Sequence, residues 1–324
     1  MYQNKVAIIQ NQQIRALDIS PEQCIEWIEQ SFSIKYDSQL PAKISVHPQG
    51  EDFFTSMPCL LPERYGRFGM KLIHRIQGEE PSLGSDILLY DSRHGHLLAI
   101  IDGDWITTMR TGAVAALAVR LFEPSRPAPR TYSIMGLGNT ARATALCLLA
   151  EHPDEAVCFR LLRYKDQAEQ FIERFKDYEQ ASFEIIDNVD EFIGEADVVI
   201  SCITAAQGKL VCPNDELYRP GMLLVPVHTR GFQNCDLFFD KVFADDTAHV
   251  QGFRYFSQFK HFCEMSQVVL KQSPGREREQ ERILCYNIGL GLHDVLFASK
   301  VYDLIGTNTS EGFVQQKESK KFWI

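Results

Sequence analysis

No stretch of this chain constrains its fold more than Tyr132-Ser-Ile-Met-Gly136-Leu-Gly138-Asn139-Thr140-Ala141. A short apolar run leads into a G-x-G-x-x-A pattern, and residues at helical spacing follow. In a strand–turn–helix setting the first glycine makes the tight turn and the second, lacking Cβ, lets backbone approach a pyrophosphate. The small third residue allows helix and strand to touch. The helix start supplies unpaired N–H groups and a positive dipole end for phosphate oxygens. A plain glycine-rich turn has the same look, so the surroundings decide its meaning. Apolar strand-like runs at 132–135, 158–162, 183–186, 197–203, 222–227 and 241–244 alternate with helical stretches at 140–151, 165–179 and 189–195. Such alternation specifies an α/β chain with a doubly wound parallel sheet.

Upstream the texture differs. Ser20-Pro21-Glu22-Gln23 is a helix start with cap, first-turn proline and capping-box glutamine, and the spacing of Cys24, Ile25, Ile28 and Phe32 predicts a helix over 20–35. Short runs at 43–47, 53–56, 68–73, 86–91 and 97–101, separated by turn residues, predict a mostly antiparallel sheet. An alanine-rich helix is expected over 107–122, and a long apolar helix over about 281–303. With 324 residues the chain has room for about two domains, and the expected division is 1–122 together with 300–324 against 123–299. The tail at 315–321 reads as solvated charge, with Phe322-Trp-Ile324 either docked or frayed.

Composition removes several classes. Lys and Arg number 33 against 43 Asp and Glu, for a formal net charge of −10, and no basic face accumulates. Nucleic acid and anionic membranes are therefore poor partners. The first ten residues hold only a short apolar run, no segment reaches membrane-spanning length, and a cytoplasmic protein is expected. The nine cysteines are scattered without C-x-x-C or Cys/His pairing, so neither a structural metal nor a disulfide framework is expected.

The end of the second strand of the alternating series faces the adenosine ribose in a dinucleotide fold. Here Arg160-Leu-Leu-Arg163-Tyr164-Lys165 offers cations before the first acid, Asp166. Arg163 and Lys165 would welcome a 2′-phosphate, which favours NADP(H) over NAD(H); a basic strand end facing water is the other reading.

Asp102-Gly103-Asp104-Trp-Ile-Thr107-Thr108-Met-Arg110-Thr111-Gly112-Ala113 opens the alanine-rich helix with hydroxyls and a guanidinium beside free N–H groups, which suits a carboxylate or pyrophosphate, although a surface ion pair is the plain alternative for Arg110. That string, the preceding Tyr90–Gly103 segment, the glycine loop, Asp197-Val-Val-Ile-Ser201-Cys-Ile-Thr204 and the closing Asn287-Ile-Gly-Leu-Gly-Leu-His-Asp294-Val-Leu-Phe-Ala298 together resemble the ornithine cyclodeaminase/mu-crystallin family over about residues 5–305.

The resemblance implies a homodimer formed through an α+β N-terminal domain that binds substrate, with a Rossmann-type domain holding NAD(P)H and the active site in the cleft against it. It also implies site residues. Lys71 matches the family lysine near the substrate carboxylate, and Arg110 the arginine that grips it; Lys43 stands where many members carry another arginine. Thr111, Gly136, Gly138, Asn139, Thr140, Ala141 and Thr204 match coenzyme contacts, and Arg163 falls where NADP-using members carry a basic residue. Taken alone, Lys71 reads equally as a snorkelling lysine.

The implied activities are ketimine reduction, amino-acid dehydrogenation and ornithine cyclodeamination, with a silent nucleotide-binding crystallin as the non-enzymatic case. Cyclodeamination needs a carboxylate to hold and deprotonate the δ-amine, and cyclodeaminases place an aspartate where this chain has Arg230 and a lysine near Asn234. Arg230 would repel an ornithine ammonium and favour a second acidic group, so a small imino or amino acid reduced at C=N is the leading expectation. A shift of a few residues in that match brings Asp236 in as the carboxylate. Lys71 or His228 is expected to exchange the proton, His228 reading otherwise as an ordinary loop histidine.

Overall fold

The computed structural model describes residues 2–126, 129–204, 209–229, 231–306 and 311–317, without the side chains of residues 2, 3, 316 and 317. The chain forms two compact units, one of residues 1–20, 33–110 and 290–324 and the other of residues 21–32 and 111–289. The division thus falls at Arg110/Thr111 and Gly289/Leu290 rather than at 122/123 and 299/300.

The first unit is a seven-stranded mixed sheet. Its strands are β1 (Tyr2–Ile9), β2 (Ile44–Val46), β3 (Phe53–Leu60), β4 (Arg67–Arg75), β5 (Leu83–Asp91), β6 (His96–Asp102) and β15 (Gly312–Lys317), in the order β15-β1-β6-β5-β4-β3-β2. A short helix α1 (Asn11–Arg15) follows β1. From β2 to β6 every pairing is antiparallel, as the turn-separated runs predict. The tail is not solvated charge throughout, since β15 pairs antiparallel with β1, Tyr2 opposite Lys317. Residues 318–324, including Phe322-Trp-Ile324, lie outside the described residues.

Strand alternation makes the two faces of this sheet different. On one face Met57, Cys59, Lys71, Ile87, Leu89, Ala99 and Ile101 are buried. Helix α9 (Gly291–Ile305) lies on it at close range: a Cβ on Gly69 would sit 2.8 Å from Val295, and one on Gly291 would sit 2.9 Å from the Met57 carbonyl. Only glycine permits that approach. The opposite face carries Ile44, Val46, Phe54 and Leu72, all exposed.

The second unit contains α2 (Pro21–Ser33), most of α3 (Asp104–Phe122) and an eight-stranded sheet. Its strands are β7 (Arg130–Met135), β8 (Val157–Leu162), β9 (Ala181–Ile186), β10 (Val198–Ser201), β11 (Leu223–Pro226), β12 (Lys241–Ala244), β13 (Cys263–Glu264) and β14 (Ile283–Tyr286). The order is β13-β12-β14-β11-β10-β7-β8-β9, parallel at every pairing. The remaining helices are α4 (Asn139–Glu151), α5 (Gln167–Arg174), α6 (Val189–Gly194), α7 (Thr247–Val250) and α8 (Met265–Val269). Residues 113–119 of α3 are buried without interruption, as expected of a helix that is apolar all round.

Two further expectations need correction. The helix predicted over 281–303 begins only at Gly291, because Ile283–Tyr286 is a strand between β11 and β12. A four-residue apolar run buried on both faces reads alike as helix or central parallel strand, and only its neighbours decide. The stretch 165–179 narrows to Gln167–Arg174, since Lys165 adopts φ +53° and cannot begin a right-handed helix. No described helix is long and apolar enough to cross a membrane.

Candidate functional site

In the second unit the strand order reverses between β7, with β8 on one side, and β10 on the other. Open α/β sheets bind ligands at that point, beyond the carboxyl ends of the strands. The glycine loop sits there. Gly136 has φ +76°, and a Cβ on it would lie 2.5 Å from the Cys202 carbonyl carbon and the Ile203 nitrogen, so the turn after β7 is pressed against the chain leaving β10. Gly138 begins α4 with no side-chain cap, and a Cβ on it would meet no atom of the described residues within 4 Å. Asn139 is exposed, Thr140 half-buried and Ala141 buried. The loop therefore offers uncapped helix N–H groups with no described atom crowding Gly138, which fits a dinucleotide pyrophosphate.

The other expected coenzyme contacts belong to the same unit. Thr111 precedes Gly112, whose Cβ would lie 2.5 Å from the Ala143 carbonyl carbon, so α3 meets α4 backbone to backbone there. Thr204 is exposed and follows β10. Arg163 follows β8 and pairs with Glu169 and Asp187, which hold its guanidinium above the usual arginine range. The Lys165 ammonium lies 5.4 Å from the centroid of the exposed Tyr164 ring. His228 follows β11, and its Nε2 is 2.7 Å from the Ser201 hydroxyl at the end of β10, on the same carboxyl edge as the glycine loop. Arg230 lies outside the described residues. Asp236 is fully buried among apolar side chains and accepts a 2.7 Å hydrogen bond from the Tyr286 hydroxyl. Burial raises its carboxyl to about 7.

The first unit gathers the cations. Lys71, inward-facing on β4, is fully buried, and its Nζ lies 2.7 Å from Asp294 Oδ1 on α9. Arg110, on α3, donates from Nε to the same oxygen at 2.9 Å. Lys71 also reaches Thr107 Oγ1 at 3.4 Å, and that hydroxyl is 2.9 Å from Ser85 Oγ. Burial and the Arg110 charge, with a smaller push from Lys43, lower the Lys71 ammonium to about 7 although Asp294 opposes them. Burial alone would raise the Asp294 carboxyl, but Arg110 and Lys71 more than offset it and hold it below the usual range. Arg110 and, more weakly, Lys43 thus act electrostatically on Lys71. Asp294 carries no role in the sequence pattern taken alone. A lone acid between Leu292 and the Val295-Leu296-Phe297 run signals a buried carboxylate, and such a charge requires a partner.

A parallel nucleotide-type sheet with an open glycine loop, joined in one chain to a mixed sheet bearing a buried cation pair, defines a two-unit α/β dinucleotide-binding protein. The sequence profile of the ornithine cyclodeaminase/mu-crystallin family matches residues 5–308, and the chain belongs to that family. It is 26% identical over 275 residues to nodulation efficiency protein NfeD of Rhizobium meliloti, covering 82% of this chain and 83% of that one. It is 26% identical over 233 residues to the ketimine reductase mu-crystallin of Macropus fuliginosus, covering 69% and 70%. In fold it resembles Thermococcus litoralis Delta(1)-pyrroline-2-carboxylate reductase in complex with NADH and L-proline, with TM-score 0.81, 20% identity and coverage of 93% and 97%. An archaeal alanine dehydrogenase dimer with bound NAD superposes with TM-score 0.78 at 19% identity, covering 97% and 99%.

Proposed function

We propose that this chain is an NAD(P)H-dependent reductase of small imino acids, acting on a C=N bond beside a carboxylate. One observation carries the reading: Lys71 and Arg110 converge on a single buried carboxylate oxygen, a group with two cations for one anion. One further negative charge would balance the site when Lys71 is protonated, and a substrate carboxylate supplies it. The names of two relatives, a ketimine reductase and a pyrroline-2-carboxylate reductase, support the choice of C=N.

In this reading the loop Gly136–Ala141 with Thr111 and Thr204 holds the coenzyme, and Arg163 with Lys165 takes the 2′-phosphate that distinguishes NADP(H). When bound, the coenzyme supplies the hydride that reduces the C=N carbon. Arg110 grips the acid through its planar fork, assisted by Lys43, and fixes the orientation on which hydride transfer depends. Lys71 carries the proton for the imine nitrogen; its lowered affinity lets it alternate between charged and neutral forms near pH 7. His228, held by Ser201, is the second proton carrier to be tested.

The apolar outer face of the first sheet supports a dimer. Ile44 and Val46 are 68% and 61% exposed on the edge strand β2, and register aligns them with Phe54 and Leu72 on the same face. A second copy of the chain is assigned to that face, in keeping with the dimeric alanine dehydrogenase neighbour. Sedimentation of the Ile44→Glu/Val46→Glu variant should yield a monomer; an unchanged mass removes this face from the interface.

The activity is tested by following NADPH and NADH oxidation with cyclic imino acids, with 2-oxo acid and amine mixtures, and with ornithine plus catalytic NAD. Turnover of carboxylated imines with NADPH preferred is expected. Ammonia and proline from ornithine without net NADH change would instead establish a cyclodeaminase.

A further inference from the structure

We infer that Asp294 is a positioning residue of this site, holding the Lys71 ammonium and the Arg110 guanidinium on one oxygen so that their remaining donors face a substrate acid together. The inference rests on the proposed reduction for its substrate but not for its geometry. Asp294 has no exposed surface, and its second oxygen, Oδ2, makes no hydrogen bond among the described residues. Both cations therefore converge on Oδ1, and the shared oxygen limits how far apart they can stand. α9 is held against β3 and β4 by the glycine contacts at positions 69 and 291, so the carboxylate is fixed by packed backbone rather than by a mobile side chain.

The second consequence is electrostatic. Among the described residues, the titratable groups tied electrostatically to this cluster include Lys43, Cys59, Lys71, Arg110, His293 and Asp294. Burial and the neighbouring cations drive the Lys71 proton off, and Asp294 opposes them. Cys59 stays a neutral thiol, pushed up to about 12 by burial and by Asp294. In the proposed reaction a Lys71 N–H bond breaks as the substrate N–H bond forms, and solvent returns the proton. Asp294 keeps Lys71 charged often enough for that exchange near neutral pH.

The test is a pH titration of the full chain carrying ¹³Cε-lysine, followed by NMR, with Lys71 assigned through Lys71→Arg. In the unmodified protein the Lys71 signal should titrate near neutrality. In Asp294→Asn, which keeps the shape and loses the charge, the midpoint should fall by at least one pH unit, a tenfold loss of proton affinity. A folded Asp294→Asn protein whose Lys71 midpoint is unchanged or raised overturns the inference. If that variant does not fold, Asp294→Glu decides: the longer side chain keeps the charge and displaces both cations, so the Lys71 midpoint stays within half a unit while KM for the imino acid rises tenfold. Wild-type KM and kcat in Asp294→Glu overturn the inference. Titration as expected in a protein that oxidises no NADPH with any imino acid overturns the proposed activity and leaves the positioning role standing.

Discussion

Two alanine substitutions in the glycine loop should separate folding from coenzyme binding. At Gly136 the new methyl would lie 2.5 Å from backbone atoms of Cys202 and Ile203, and neither is the end of a flexible side chain. The position also has φ +76°, which costs an L-residue about 1–2 kcal/mol. Adding a typical overpacking cost of about 1–3 kcal/mol, Gly136→Ala should destabilise the second unit by about 2–5 kcal/mol. Gly138 has φ −80°, and its methyl would meet no atom of the described residues within 4 Å. Gly138→Ala should therefore keep stability within about 1 kcal/mol, because alanine fits that backbone. Its methyl would fill the space where pyrophosphate must approach backbone, so the Kd for NADPH should rise at least tenfold, or about 1.4 kcal/mol. Urea unfolding followed by circular dichroism measures the first effect and calorimetric NADPH titration the second. Wild-type stability in Gly136→Ala would refute the close approach at the strand reversal, and wild-type NADPH affinity in Gly138→Ala would refute the pyrophosphate position.

Three other substitutions address charge. Arg110→Lys keeps a cation but loses the planar fork, so kcat/KM for the imino acid should fall by about 2 kcal/mol, measured by steady-state kinetics; a change below threefold would remove the bidentate grip. Arg163→Ala should weaken NADPH at least tenfold, or about 1.4 kcal/mol, with little change for NADH, and equal losses for both coenzymes would contradict a 2′-phosphate role. Burial lifts the Asp236 carboxyl to about 7, so the folded chain keeps a proton that the unfolded chain releases from about pH 4 upward, and stability falls as pH rises through that window. Asp236→Asn removes this fall; from pH 4 to pH 8 its stability should gain about 2–4 kcal/mol relative to the unmodified protein, and a difference that does not vary with pH excludes Asp236 as the source.

Residues 130–245 announce the parallel sheet because its grammar is local: apolar runs, helical spacing and turn glycines all lie within a few residues of one another. The same holds for the antiparallel runs from β2 to β6 and for the phosphate loop, where two glycines and an alanine specify backbone that the chain can adopt on its own. β14 escaped because Ile-Leu-Cys-Tyr carries no period, and its strand identity comes from lying between β11 and β12. β15 escaped because its strand partner among the described residues is β1, at the other end of the chain.

Lys71 and Arg110 could be picked out by resemblance, but nothing near them in sequence indicates a shared counterion. Arg110 and Asp294 are 184 residues apart, and only the docking of α9 onto β3 and β4 brings the carboxylate to both cations. The sequence by itself determined the two kinds of sheet and the nucleotide loop, since those follow from short-range backbone preferences. Tertiary structure alone decided the pairing and the shifted proton affinities of the buried cluster, because burial and Coulomb interaction depend on distances in space that no local pattern encodes.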